Sequence, residues 1–212
     1  MNREFFTQKE NWHGSYYELA IELQSSHDDI RLEQALQALW SHPNLSGHWL
    51  NLENYGQNPD RLQVSGIINN SDNVSCANIY GIFLIPEIDK QVGCLSVIVR
   101  EHNGSDWLAF CFPSAMLKSI FPVKYPLVHD ENLWLSILDK HLLQMADIIY
   151  RQIPYDFALI GDEVSGMAHK ISITEAEFEN GGILLSPSLR DKISPNKVFE
   201  VMPSGLQWAT FA

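Results

Sequence analysis

Three consecutive apolar runs in the middle of the chain constrain the fold more than any other feature of the sequence. They cover residues 77–85, 92–99 and 106–112, and short polar connections separate them, the second of which contains an Asn-Gly pair. Short turns between β-rich runs are typical of antiparallel hairpins. The sequence therefore predicts a three-stranded antiparallel meander. Its first and third strands are apolar on both faces and need a covering layer.

A long amphipathic helix is the best candidate for that covering layer. Between residues 131 and 152, apolar side chains recur at steps of three and four residues, the spacing that places them on one face of a helix. They are Trp134, Ile137, Leu138, Leu142, Met145, Ile148 and Ile149. We therefore predict an α+β fold, a mostly antiparallel sheet with a central three-stranded meander covered by this long amphipathic helix.

The first part of the chain adds a strand and a helix. Residues 16–24 alternate between apolar and polar side chains, which predicts a strand with one buried face and one solvent-facing face that carries Glu18 and Glu22. Ser26 is a candidate N-cap for the helix that follows. No flexible linker divides the sequence, so we expect a single α+β domain over residues 1–212.

Composition and charge exclude several classes of function. The chain has 212 residues, of which 45% are hydrophobic, enough for a substantial buried core. Its net charge is −12, with 26 acidic residues against 14 basic ones, and no run of Lys and Arg occurs. Because phosphate backbones are bound by clustered Lys and Arg, we expect no nucleic-acid partner. An acidic surface favours solubility or attraction to a basic partner.

Segments typical of exported or membrane proteins are not visible in the sequence. The first residues are polar and charged, unlike an apolar signal sequence. The longest apolar stretches run about ten residues, half of the roughly 20 that a membrane helix needs. Cys76, Cys94 and Cys111 are odd in number and form no Cys-x-x-Cys pair, which is typical of a reducing compartment. We therefore expect a cytoplasmic protein that does not bind a membrane.

The strongest candidate for chemistry is the turn that follows a short buried strand. Residues 161–166 read GDEVSG, which places the adjacent carboxylates of Asp162 and Glu163 just beyond a strand end, where polar groups often line sites. One interpretation gives either carboxylate a general-base or ligand role. The other is a polar turn in which the two flanking glycines supply backbone freedom.

An aromatic-rich segment at the entry to the first strand is the second candidate. Trp12, His13, Tyr16 and Tyr17 lie within six residues of one another. Aromatic groups of this kind bind planar ligands or the side chains of a partner protein. The alternative is that they close the edge of the sheet and have no ligand.

Motifs for metals, cofactors and cysteine catalysis are not found. The sequence contains no His-x-x-x-His pair and neither of the common Gly-rich phosphate-binding motifs, so we expect no metal and no cofactor. His141 falls on the apolar stripe of the predicted long helix, where a satisfied core histidine is the simpler interpretation. Cys94 and Cys111 lie in apolar strands, which argues against either of them as a nucleophile.

Three stretches of the chain resemble bacterial proteins of unknown function. They are residues 12–23 (WHGSYYELAIEL), 31–49 (RLEQALQALWSHPNLSGHW) and 159–166 (LIGDEVSG). The resemblance covers much of the length, and its motifs are not specific to any chemistry. It implies no activity, cofactor or partner, but it directs attention to these stretches as places for a site.

Hypotheses of different classes remain open. The first is a non-catalytic binding or interaction protein, an immunity- or inhibitor-like partner of a basic protein, which the acidic charge and abundant aromatics favour. The alternative is a hydrolase that uses Asp162 or Glu163 with a nearby His, which requires these groups to face a concave pocket with shifted pKa values. A homodimer formed through an aromatic-rich sheet edge is a further hypothesis.

Overall fold

The computed structural model describes residues 1–23, 27–67, 74–101, 104–174, 182–194 and 198–209. Their strands are β1 (Tyr16–Leu23), β2 (Leu45–Trp49), β3 (Val74–Ile85), β4 (Lys90–Glu101), β5 (Asp106–Pro113), β6 (Phe157–Asp162), β7 (Ile183–Leu185), β8 (Glu200–Val201) and β9 (Gln207–Ala209). Their α-helices are α1 (Arg3–Thr7), α2 (Asp29–Trp40), α3 (Val64–Ile67), α4 (Ser114–Lys118), α5 (Leu135–Gln152) and α6 (Pro187–Ile193).

The strands form one sheet in the order β2-β3-β4-β5-β1-β6-β7-β9-β8, and every neighbouring pair is antiparallel. The prediction of an α+β fold with an antiparallel sheet is therefore confirmed. The sheet has nine strands within the described residues, and the three strands of the predicted meander, β3 to β5, are only one side of it. The sequence did not predict how the remaining strands join this sheet. The strand β1 pairs with strands far along the chain, and β7 to β9 are too short to show an alternating pattern.

The two faces of the sheet are covered by different kinds of structure. We call the helix face the one that carries Tyr17, Leu19, Ile21 and Leu23 of β1, because α2 and α5 lie against it. The loop face carries the alternate residues Tyr16, Glu18, Ala20 and Glu22. The N-terminal residues 1–15 and the segment 163–174 border this second face.

The helix α5 differs from its prediction in both extent and position. It begins at Leu135 rather than at residue 131, because Asn132 donates its side-chain amide to the carbonyl oxygens of Lys124 and Pro126 and holds the preceding chain as a loop. Its main neighbours are α2 and β1. The prediction that the long helix covers the three-stranded meander is therefore not confirmed.

The N-terminus of α2 is capped by Asp28, whose side chain accepts the N–H of Arg31. The predicted cap, Ser26, lies outside the described residues. Next to this helix start, a buried guanidinium ties the β4–β5 hairpin to α2. Arg100 forms two hydrogen bonds with the carboxylate of Asp106 and one with Asp29.

The loop face departs most clearly from the sequence-based expectation. Glu18 and Glu22 are only 4% and 3% exposed, so the prediction that they face solvent was wrong. The segment 163–174 crosses this face, and two of its backbone N–H groups bind the buried carboxylates. Ser165 N–H donates to Glu18 at 2.7 Å and Lys170 N–H donates to Glu22 at 2.8 Å. These hydrogen bonds fasten the segment to β1.

Among the described helices, none combines the length and the apolar character that crossing a membrane requires.

Candidate functional site

A groove of about 400 Å³ opens on the loop face, between Tyr16 at one end and Trp107 at the other. Its floor includes Ala109 and Cys111 of β5, and its side wall is built by Val97 and Val99 of β4. The groove exists because the two floor residues are small. Alternation along β5 places them on the same face as Trp107, so the large ring stands beside the gap that they leave.

Glu18 is the carboxylate at the floor of this groove. Cys111 Sγ–H donates to its Oε2 at 3.1 Å, and Ser165 N–H donates to its Oε1 at 2.7 Å. Each carboxylate oxygen has two acceptor positions, so each retains one after these bonds are counted. Within the described residues, no Lys or Arg side chain forms an ion pair with Glu18.

The thiol of Cys111 acts as a hydrogen-bond donor in this arrangement. Burial raises its pKa well above the usual thiol range, and the nearby carboxylate of Glu18 raises the pKa further. A thiol with such a pKa stays protonated at neutral pH and is a poor nucleophile. The groove therefore offers a carboxylate acceptor and no cysteine nucleophile.

Two further carboxylates line the groove. Glu163 is exposed and stands on the rim at the Tyr16 end, where its backbone N–H donates to the Tyr16 carbonyl oxygen at 2.9 Å. Glu101 lines the opposite end, at the end of β4. Burial raises the pKa of Tyr16, and the groups of Cys111, Tyr80, Glu18 and Glu163 add to this effect. None of the described Lys or Arg side chains lines the groove, so its potential is negative.

The structure brings together one residue from each predicted set, since Tyr16 and Glu163 line the same groove. An adjoining cavity of about 400 Å³ shares Tyr16 and contains Trp12 and His13. His13 is exposed, whereas Trp12 is buried and donates its ring N–H to the Phe6 carbonyl oxygen at 2.6 Å. Trp12 thus helps to hold the N-terminal segment in place.

The other two predicted residues lie on the helix face. Tyr17 and Asp162 are register partners on β1 and β6, one position removed from Tyr16 and Glu163. The carboxylate of Asp162 accepts the N–H of Leu127, whereas Glu163, which follows the end of β6 with a φ of 51°, lines the loop-face groove. The two carboxylates therefore have different surroundings.

A hydrogen-bonded chain on the helix face involves Tyr17. Its hydroxyl donates to Asp139 Oδ1 at 2.5 Å, and Asp139 Oδ2 lies 2.5 Å from His129 Nε2. Burial and the charge of Asp139 raise the pKa of Tyr17 far above its ordinary value. Burial also raises the pKa of Asp162, an effect that the N–H of Leu127 opposes.

His129 and Asp139 line a second cavity, of about 530 Å³, between α5 and the C-terminal hairpin of β8 and β9. The sequence did not predict the contact between His129 and Asp139, because one residue lies in the loop before α5 and the other in the helix, and no local pattern relates them. Ser136 is the hydroxyl in the cavity lining, and its Oγ–H donates to the Leu133 carbonyl oxygen at 2.8 Å. This hydroxyl therefore binds the turn that precedes α5, and not the ring of His129.

No group of three or more His, Cys, Asp or Glu side chains suited to a metal ion occurs in the part of the chain that the structure describes. In comparisons with known proteins, no family model matches the chain. No curated protein and no solved structure matches it either.

Proposed function

We propose that this protein is a non-catalytic binding protein that docks a basic protein partner in the loop-face groove, in the manner of an inhibitor or immunity protein. One observation carries the proposal: apolar walls and three carboxylates line the groove, and the described Lys and Arg side chains do not. The carboxylates belong to Glu18, Glu101 and Glu163.

A Lys or Arg side chain fits this chemistry better than a neutral ligand does. Its aliphatic stem packs against valine and tryptophan side chains while its charged head reaches a carboxylate. The carboxylate of Glu18 is buried, so its attraction for a cation is screened less than in bulk water. Its spare acceptor positions are available to an incoming N–H donor.

The net charge of the whole chain also favours a basic partner. A net charge of −12 attracts a basic protein from a distance and raises the rate of association at low salt. We further propose that the protein acts in the cytoplasm. In support, all three cysteines are free thiols, as expected in a reducing compartment.

The alternative, a hydrolase that uses Asp162 or Glu163, has weaker support. Asp162 accepts the Leu127 N–H while Glu163 lines the loop-face groove, and Ser136, the hydroxyl that shares a cavity with His129, donates to the Leu133 carbonyl oxygen just before α5. A nucleophile with an adjacent base is the minimal requirement for covalent hydrolysis.

The test is affinity capture with matched charge variants. Wild-type protein, Glu163→Lys and Asp191→Lys are immobilised and exposed to a lysate of the source cells, and captured proteins are identified. Asp191 is exposed on α6, which packs against β7 away from the groove. The two variants change the net charge equally.

We expect a captured protein of high isoelectric point that Asp191→Lys retains and Glu163→Lys loses. Capture should weaken as ionic strength rises from about 0.05 to 0.5 M, because screening shortens the range of the attraction. Equal capture by both variants, or a captured partner that is acidic, contradicts the proposal.

A further inference from the structure

The carboxylates of the groove lie at its two ends, with an apolar stretch between them. Glu18 of β1 pairs with Cys111 of β5, and Cys111 pairs in turn with Leu95 of β4, so Glu18 and Leu95 lie at the same level across the sheet. Glu101 is six positions further along β4, which corresponds to about 20 Å of extended chain. Glu163 adjoins the Glu18 end, because its N–H binds the Tyr16 carbonyl oxygen.

The middle of the groove presents only apolar side chains and small floor residues. Val97 and Val99 lie between the acidic ends on β4, and Ala109 pairs with Val97 on the neighbouring strand. The groove is therefore acidic at one end, apolar in the middle and acidic at the other end. A single basic side chain complements only one of the two ends.

We propose that the groove recognises an extended segment of the basic partner in which two basic residues, four positions apart, flank an apolar residue. This proposal rests on the docking function stated above. In an extended chain, residues at i, i+2 and i+4 point to the same side. The outer two Cα atoms are about 13 Å apart, and the long basic side chains cover the remaining distance to the carboxylates.

A shorter spacing does not fit the groove equally well. Two basic residues at i and i+2 are separated by about 7 Å, which leaves one acidic end without a partner. Adjacent basic residues point to opposite sides, so only one of them faces the sheet. The apolar residue at i+2 packs over Val97 and Ala109, which are register partners between the acidic ends.

The experiment compares two labelled peptides of identical composition on the full chain by fluorescence anisotropy. One is Gly-Arg-Gly-Leu-Gly-Arg-Gly, and the other is Gly-Gly-Leu-Arg-Arg-Gly-Gly. We expect the spaced peptide to bind at least about fivefold more tightly, the effect of one additional partly buried ion pair. Equal affinities mean that charge alone is recognised and overturn the proposal.

Two groove variants and one control variant locate the effect. Glu101→Gln should remove most of the advantage of the spaced peptide over the adjacent-arginine peptide, whereas Asp191→Asn should change the affinity of neither peptide. Ala109→Leu fills the apolar centre and should weaken the spaced peptide, with circular dichroism confirming the fold. An advantage that survives both Glu101→Gln and Ala109→Leu overturns the proposal.

The outcomes separate this inference from the docking function itself. If the captured partner requires Glu163 but the spaced peptide has no advantage, the segment proposal falls and the docking function stands. If neither peptide binds and capture ignores Glu163, both fall. A scattering mass of two chains that Ala109→Leu reduces to one means that a second copy occupies the groove, and this also overturns the proposal.

Discussion

The buried ion pair between Arg100 and Asp106 gives the sharpest test of the energetics. Arg100 is 3% exposed and Asp106 is 2% exposed, and the guanidinium binds both carboxylate oxygens at 2.9 Å. Asp29, which accepts a third bond at 2.7 Å, is 40% exposed. The two acidic partners therefore contribute differently although both contact the same side chain.

Asp106→Asn removes the buried carboxylate and leaves Asp29, which is partly in solvent, beside the guanidinium. Removing one partner of a buried pair costs about 3–5 kcal/mol, and we expect the lower end because Asp29 remains. Asp29→Asn should cost no more than about 1 kcal/mol, since exposed pairs are screened by water. A loss of about 3 kcal/mol lowers the Tm of a chain of this size by roughly 6–12 °C.

The assay is urea unfolding of the wild type, both single variants and the double variant Arg100→Met/Asp106→Leu. The double variant should recover most of the lost stability, because apolar groups of similar volume replace a buried pair at little cost. If Asp106→Asn destabilises the protein no more than Asp29→Asn does, the assignment of Asp106 as the main partner is refuted.

Three further predictions follow from close packing and burial. Gly81→Ala would place a Cβ 2.4 Å from the Trp40 ring, so we expect a loss of about 1–3 kcal/mol in urea unfolding; an unchanged stability would contradict the packing. Native protein should react with a thiol reagent at Cys76 alone, because the other two cysteines are buried with raised pKa values; three reactive thiols before unfolding would contradict this. Stability should fall above about pH 10, because unfolded tyrosines ionise there while Tyr17, whose folded pKa is raised, keeps its proton. Tyr17→Phe should reduce that alkaline loss in unfolding experiments at pH 9 and 11, and an identical loss would exclude Tyr17 as a cause.

Local patterns predicted the elements of the fold better than their arrangement. The strands β3, β4 and β5 follow from apolar runs with short connections, since hairpin pairing is set by neighbouring residues. The place of β1 between β5 and β6 depends on pairings distant in sequence, which no local period encodes. The helix α5 shows a clear stripe, yet the stripe does not specify which strands it contacts.

The sequence predicted single residues of the candidate site but not the groove that they form, because the groove also depends on pairings between distant strands. Tyr16 and Glu163 were each singled out, but their shared groove arises from the pairing of β1 with β6. Glu18 was missed because a carboxylate that alternates with apolar residues normally faces solvent. The segment that buries it is more than 100 residues away in sequence. The one sequence feature that could have indicated the groove is the pair of small residues on β5, Ala109 and Cys111, which leave space between larger neighbours.

The central position of β1 has a consequence for the order in which the protein is made. Tyr17 pairs with Phe112 on one side and with Asp162 on the other, so β1 leaves the ribosome long before either neighbour exists. Such distant pairings are typical of slow folding. Until translation has passed residue 162, β1 lacks its β6 neighbour, and until residue 170 has been added Glu22 lacks the backbone N–H of Lys170. The apolar side chains of β1 in a nascent chain therefore need shielding in the meantime.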